Sequence, residues 1–202
     1  MGLGNFRQSR LQGRPTLRQR AACVLLALLA LAISPAAWAQ QDSATAEAQA
    51  AILTRGAMAR LQNMDFGVIA QPAIAGSVTL VPSLTPTCNT TAGIIHTGAC
   101  KPARFAIMFK KHDKNRVREM NGGTIVLTGP GVATMTVTNL TIGGLTDMTQ
   151  VGTGGPPGTF GRYNIDSDSG IASFNIGGRL NIGANQAAGS YSGTLTMNVI
   201  LN

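Results

Sequence analysis

Residues 191–201 read Tyr191-Ser192-Gly193-Thr194-Leu195-Thr196-Met197-Asn198-Val199-Ile200-Leu201. Tyr191, Gly193, Leu195, Met197, Val199 and Leu201 fall on one side of an extended chain, with Ser192, Thr194, Thr196 and Asn198 on the other. Successive side chains of a strand point to opposite faces, so period 2 sustained over eleven residues predicts a strand with one face buried and one wet.

Similar texture recurs on the way back toward the N-terminus. Residues 171–176 and 160–165 are two strands flanking the turn Asp166-Ser167-Asp168-Ser169-Gly170, and 179–182 continues the former after Gly177-Gly178, a bulge signal. GTGGPPG at 152–158 is a flexible loop. Residues 124–128 and 132–140 are strands around Gly129-Pro130-Gly131. The charged stretch 110–119 reads as a loop. Phe105, Ile107 and Phe109 alternate with Ala106 and Met108 in a buried strand. Residues 82–102 form a loop region holding Cys88 and Cys100, preceded by strands at 76–81 and 64–69 with Gln71-Pro72 between them. Short strands at this spacing, punctuated by turn signals, predict an all-β fold, a β-sandwich. No internal repeat is visible.

The N-terminus has a different texture. Arg7, Arg10, Arg14, Arg18 and Arg20 stand in a segment without acidic residues, and the apolar run AACVLLALLALAI at 21–33 follows. That run is short for a membrane span, which needs roughly 20 residues. Pro35 and then Ala37-Trp38-Ala39 complete the pattern of a secretory signal peptide over 1–39, with cleavage leaving Gln40 first. Cys23 leaves with it, and no transmembrane segment is expected after cleavage. The expected localisation is therefore outside the cytoplasm: secreted, or from the periplasm to the cell surface. Residues 40–60 are Ala-rich and polar and form an N-terminal extension: a tail, a short helix or an added donor strand. Residues 61–202 form the sandwich domain.

Removing residues 1–39 also corrects the charge. The whole chain carries +8, but five of its 16 Lys and Arg lie in the signal and all eight acidic residues lie after it, so the mature chain carries +3. That is too little to argue for nucleic acid. Some 163 residues remain, enough for one domain with a core. Two cysteines remain in an exported chain, which predicts a Cys88–Cys100 disulfide. A metal site lacks support: His96 lies between the cysteines, but no fourth ligand sits at a recognisable spacing.

At three points the residues become familiar. Met64-Asp65-Phe66-Gly67-Val68-Ile69, Phe174-Asn175-Ile176-Gly177-Gly178-Arg179-Leu180 and the closing block 188–199 resemble, in order and position, a bacterial secreted family catalogued as number 4402 among the domains of unknown function. That family is similar in layout to spore coat protein U and to chaperone–usher pilins. The resemblance implies an immunoglobulin-like, pilin-like sandwich and a structural role at the surface. It also implies subunits of the same or a related kind as partners, with a periplasmic chaperone. The other class of function is a monomeric secreted module binding glycans or anionic surfaces.

Catalysis finds little footing. Nucleophilic catalysis needs a Ser or Cys beside an oriented base. Only His96 and His112 are available, and neither G-x-S-x-G nor H-E-x-x-H occurs. Asp166 and Asp168 suit Asx-type turns better than a calcium loop. GTGGPPG lacks the Lys-Ser/Thr end of a phosphate loop. No enzyme activity, catalytic residue, cofactor or metal is therefore expected. The basic run is the remaining surface feature: with Lys101 and Arg104 nearby, Lys110, Lys111, Lys114, Arg116 and Arg118 are either a solvated loop or a contact for polyanions. No aromatics interleave them, which argues against stacking single-stranded nucleic acid, and no specific nucleic-acid partner is expected.

Overall fold

Alternation of apolar and polar residues, with turns set by glycine, builds a two-layer β-structure. The computed structural model describes residues 50–91, 93–153, 155 and 158–201. The signal peptide reading and residues 40–49 of the extension lie outside the described residues. The strands are β1 Ala57–Gln62, β2 Val68–Ile69, β3 Gly76–Val81, β4 Thr87–Thr90, β5 His96–Thr97, β6 Ala103–Met108 and β7 Lys114–Glu119. They continue as β8 Ile125–Thr128, β9 Thr134–Thr146, β10 Met148–Gly152, β11 Thr159–Ile165, β12 Ile171–Ile182 and β13 Met197–Leu201. The described residues contain no helix, and the fold is an all-β sandwich.

β12 is the spine. Along one edge it pairs antiparallel first with β6 and then with β3, and along the other with β9. β1 adds to β6, β4 to β3 and β8 to β9, making a seven-stranded sheet. The second layer is a four-stranded sheet in the order β10-β11-β7-β13, and β2 with β5 makes a small ribbon. The handover on β12 falls at Gly177-Gly178, where the register against β9 shifts between Gly177 and Arg179 as a bulge. A Cβ on Gly177 would strike the carbonyl oxygen of Leu80, and one on Gly178 would lie 3.0 Å from both Val137 and Leu140. Only a residue without a side chain lets three strands crowd this point.

Two apolar clusters follow from the layering. In the first, Phe105, Ile107, Phe174 and Ile176 of the large sheet meet Val117, Tyr163, Ile165 and Met197 of the small one, and the Phe105 and Phe174 rings stack at 5.6 Å. In the second, Val78, Leu80, Val137, Leu180 and Ile182 come from the large sheet alone. There the cover is not a sheet but single side chains from loops, notably Phe66 and Ile94. The small sheet thus caps only part of the large one.

Several expectations need correcting. Residues 64–69 are not a continuous strand: the Asp65 carboxylate accepts the Gly67 N–H at 2.8 Å and Gly67 takes φ +73°, an Asx turn that leaves only Val68–Ile69 extended. The first strand is instead β1, which begins at Ala57, inside the range read as extension. The loop region 82–102 contains β4 and β5. Residues 114–119 are not loop but strand β7, paired on both sides. The closing strand is shorter than its alternation, because residues 191–195 and 197–201 serve different sheets. Ser192 exchanges two backbone bonds with Thr128 of β8, whereas 197–201 pairs with β7. The inward face nonetheless stays continuous: Leu195, Met197 and Val199 all pack against the first cluster.

Candidate functional site

The disulfide joins Cys88 on β4 to Cys100, with their Cα atoms 6.0 Å apart. His96 on β5 sits beside it, its Nε2 3.7 Å from Cys100 Sγ and donating to the Phe66 carbonyl at 2.7 Å. Ligand-type atoms of Cys88, His96 and Cys100 lie within 4.8 Å of one another. With both sulfurs bonded to each other, no thiolate is offered to a metal. The loop closed by the disulfide carries β5, which pairs with β2. This staple therefore fixes the position of residues 64–72.

That segment is one wall of a cleft of about 830 Å³. Its floor is the part of the large sheet left uncapped: Ile125 and Leu127 of β8, Met135 and Val137 of β9, and Leu180 and Ile182 of β12. The opposite wall is the stretch 186–195. Tyr191 props this wall, its hydroxyl donating to the Ala187 carbonyl at 2.7 Å and accepting from Gln186 Nε2 at 2.8 Å. One wall carries the short β2, paired only with β5, and the other bends at Ala188 and Gly189 before its bridge from Ser192 to Thr128. The sequence blocks at 64–69 and 188–199 thus turn out to face one another across an apolar floor. Sequence reading found both blocks but not the space between them, because a gap leaves no mark in the chain.

The structure divides the basic run in two. Lys110 and Lys111 lie in the turn before β7. The Lys111 ammonium bonds the Asp168 carboxylate at 2.6 Å and, by hydrogen bond and charge, holds that carboxyl below its usual value. Asp113 caps the same turn by accepting the Lys110 N–H at 2.8 Å. Lys114, Arg116 and Arg118 instead alternate along β7 with the buried Asn115, Val117 and Glu119. Lys101 belongs elsewhere, its backbone bridged to Asp65, and Arg104 reaches Ser173 at 3.3 Å on the large sheet. A residue the sequence reading missed joins the β7 cations: Arg162 on β11 lies directly opposite Arg116. The one available signal was its place between inward-facing Gly161 and Tyr163.

Asp166 and Asp168 make turn and surface contacts, with Thr149 donating to Asp166 at 2.6 Å. Two of the three inward positions of β7 are polar. Glu119 is buried and accepts the Asn121 N–H at 2.6 Å, while Asn115 donates to the Asp113 carbonyl at 3.2 Å.

The sequence pattern of the Domain of unknown function (DUF4402) matches residues 57–200. The chain belongs to this family. No curated protein and no solved structure matches it. The DUF4402 match begins on the first residue of β1 and ends within β13, so the family unit coincides with the sandwich, and both walls and the floor of the cleft lie inside it. No helix among the described residues is long and apolar enough to cross a membrane.

Proposed function

We propose that this DUF4402 chain is an exported, non-enzymatic structural subunit that assembles with copies or relatives of itself at the cell surface, delivered there by a periplasmic chaperone. The observation that carries the reading is the uncapped half of the large sheet. An apolar floor between two walls that belong to neither large nor small sheet leaves room for an added strand, and strand addition to an open sandwich is an established way of joining subunits. The chain also carries a segment suited to the role. Ala46, Ala48, Ala50 and Ile52 alternate in sequence, and Ile52 is fully exposed in the isolated chain. Ile52 is therefore the side chain this reading places on the apolar floor of a neighbour's cleft.

In this reading the segment before β1 of one subunit lies in the cleft of the next. The signal peptide supplies export, and the disulfide suits the oxidising compartment. Deleting residues 40–54 from the mature chain tests it directly. The full mature chain is expected to form oligomers by size-exclusion chromatography and electron microscopy, and the truncated chain to run as a monomer. Identical oligomers from both, or none from the intact chain, overturn the reading.

A further inference from the structure

Three soft metal ligands meet at the disulfide. Cys88 stands on β4 opposite Leu80, and His96 on β5 opposite Ile69. Cys100 precedes Lys101, whose backbone exchanges two hydrogen bonds with Asp65. Each ligand thus rides on backbone that is paired in its own right. The ligand atoms lie within 4.8 Å of one another, with His96 Nε2 3.7 Å from Cys100 Sγ. Metal–sulfur bonds of about 2.3 Å and metal–nitrogen bonds of about 2.0–2.1 Å place two ligands of one ion about 3.5–4 Å apart. The His96–Cys100 separation already has that value. The two sulfurs reach it by parting through rotation about their Cα–Cβ bonds, which leaves the backbone in place.

The surroundings select the ion. Both cysteines pack against the second apolar cluster, which contains Phe66 and Ile94, and all three ligands are half-buried. Thiolate and imidazole suit a soft cation, whereas magnesium and calcium take oxygen ligands. Zinc on two cysteines and one histidine keeps a fourth position for water. Among the described residues no fourth His, Cys, Asp or Glu joins the group, and its apolar flank gives a water little to bond. Monovalent copper is content with two thiolates and one imidazole, and so fits the set as it stands.

We infer that the dithiol form of this chain, the state each copy passes through before Cys88 and Cys100 join, holds one monovalent copper ion on Cys88, His96 and Cys100. The disulfide offers no thiolate, so the ion and the disulfide exclude each other. Binding releases the two thiol protons to solvent and changes no oxidation state. His96 ligates through Nε2 with its ring proton on Nδ1, so the 2.7 Å bond to the Phe66 carbonyl is given up. When the cysteines later join, their two electrons pass to a disulfide oxidant, which leaves as a dithiol, and the ion is freed still monovalent. Until then the ion clips β4 to the segment carrying β5, as the disulfide does afterwards, and keeps both thiols from bonding elsewhere. None of this requires the chain to assemble.

The mature chain is reduced with a phosphine, desalted under nitrogen and titrated with Cu(I) bound to bicinchoninate, a coloured competitor. The dithiol chain is expected to take one ion per chain from the competitor, and the disulfide chain none. X-ray absorption at the copper edge should show two sulfurs and one nitrogen. His96→Ala should weaken binding by at least about tenfold, since removing even a group that supports a ligand costs that much. His112→Ala should leave it unchanged. Two cysteines on a loose chain can also capture copper, so amide exchange supplies a second reading. The ion should slow exchange at Val68 and Ile69 of the dithiol chain, because it clips their partner strand β5 in place. No uptake by the dithiol chain, equal uptake by the disulfide chain, His96→Ala binding as tightly as the parent, unchanged exchange at Val68 and Ile69, or Zn(II) held against an equal amount of Cu(I) would each overturn the inference. So would loss of near-ultraviolet circular dichroism on reduction, since no strand would then hold the ligands.

Discussion

Tyr163 shows how one buried atom sets a pH limit. The side chain is fully buried between the sheets, and its hydroxyl has no hydrogen-bond partner among the described residues. Burial disfavours the phenolate, and it pushes the phenol up to about 12 from 10.0. The unfolded chain ionises first, so this group's stabilising effect is whole below pH 10 and is lost as pH rises toward 12. The shift corresponds to about 2 to 3 kcal/mol. Tyr163→Phe should keep the fold, stabilise it by up to about 1 kcal/mol at pH 7 by removing the unpaired hydroxyl, and remove part of the alkaline loss. Urea unfolding at pH 7 and pH 11 measures both. A variant as sensitive to alkali as the parent contradicts this account of Tyr163. At the same scale, Arg162 explains a limit of sequence reading. The β7 cations beside it are far away in the chain, and only the pairing of β11 with β7 brings them together.

Among the elements, those legible in the sequence were the ones whose alternation is apolar against polar. The stretch 76–81 folds as β3 over the range its pattern predicts, and Phe105 with Ile107 anchors β6. Gly177-Gly178 is a bulge as its glycines suggest. β7 was illegible because its inward positions are Asn115, Val117 and Glu119, so hydropathy alone sees a charged loop. Period 2 is present there, but it alternates cation against a mixture of polar and apolar residues. β1 escaped for a related reason: its alanines and Met58 bury little area and give no contrast.

The disulfide acts at this scale too. Replacing both Cys88 and Cys100 by Ser should cost about 3 kcal/mol through the closed loop. It should also loosen β2 selectively, since β5 lies within that loop and holds Val68 and Ile69. Amide exchange should therefore accelerate at these two residues well before the β6–β12 ladder is affected. Uniform acceleration across both would show that the disulfide stabilises the sandwich globally and does not fix the cleft wall in particular.

For the whole molecule, Ile52 separates stability from assembly. A residue fully exposed in the monomer contributes nothing to its core, so Ile52→Asp should leave the melting temperature within about 1 °C, as surface changes usually do. If the segment docks in a neighbour's cleft, the same change places a carboxylate on an apolar floor, and oligomers should vanish. Sedimentation velocity on the parent and the variant decides the matter, and persistence of oligomers in Ile52→Asp would remove this segment from the joint.

The central placement of β12 also governs time. Its neighbours β3 and β6 are made long before it, and β13 likewise pairs with a distant β7, as Leu80 with Gly178 and Val117 with Val199 show. Neither layer can close by local zipping, because each waits for a strand from the far end. Chains dominated by such distant pairings fold in milliseconds to seconds, far more slowly than helical bundles of similar size. If the chain is exported unfolded, as the proposed function requires, late closure of both layers keeps it from obstructing its own passage. The large sheet lacks its central strand until residues 171–182 are present, and the small sheet lacks an edge until residues 197–201 are, so the order in which the strands are laid down acts as a delay timer.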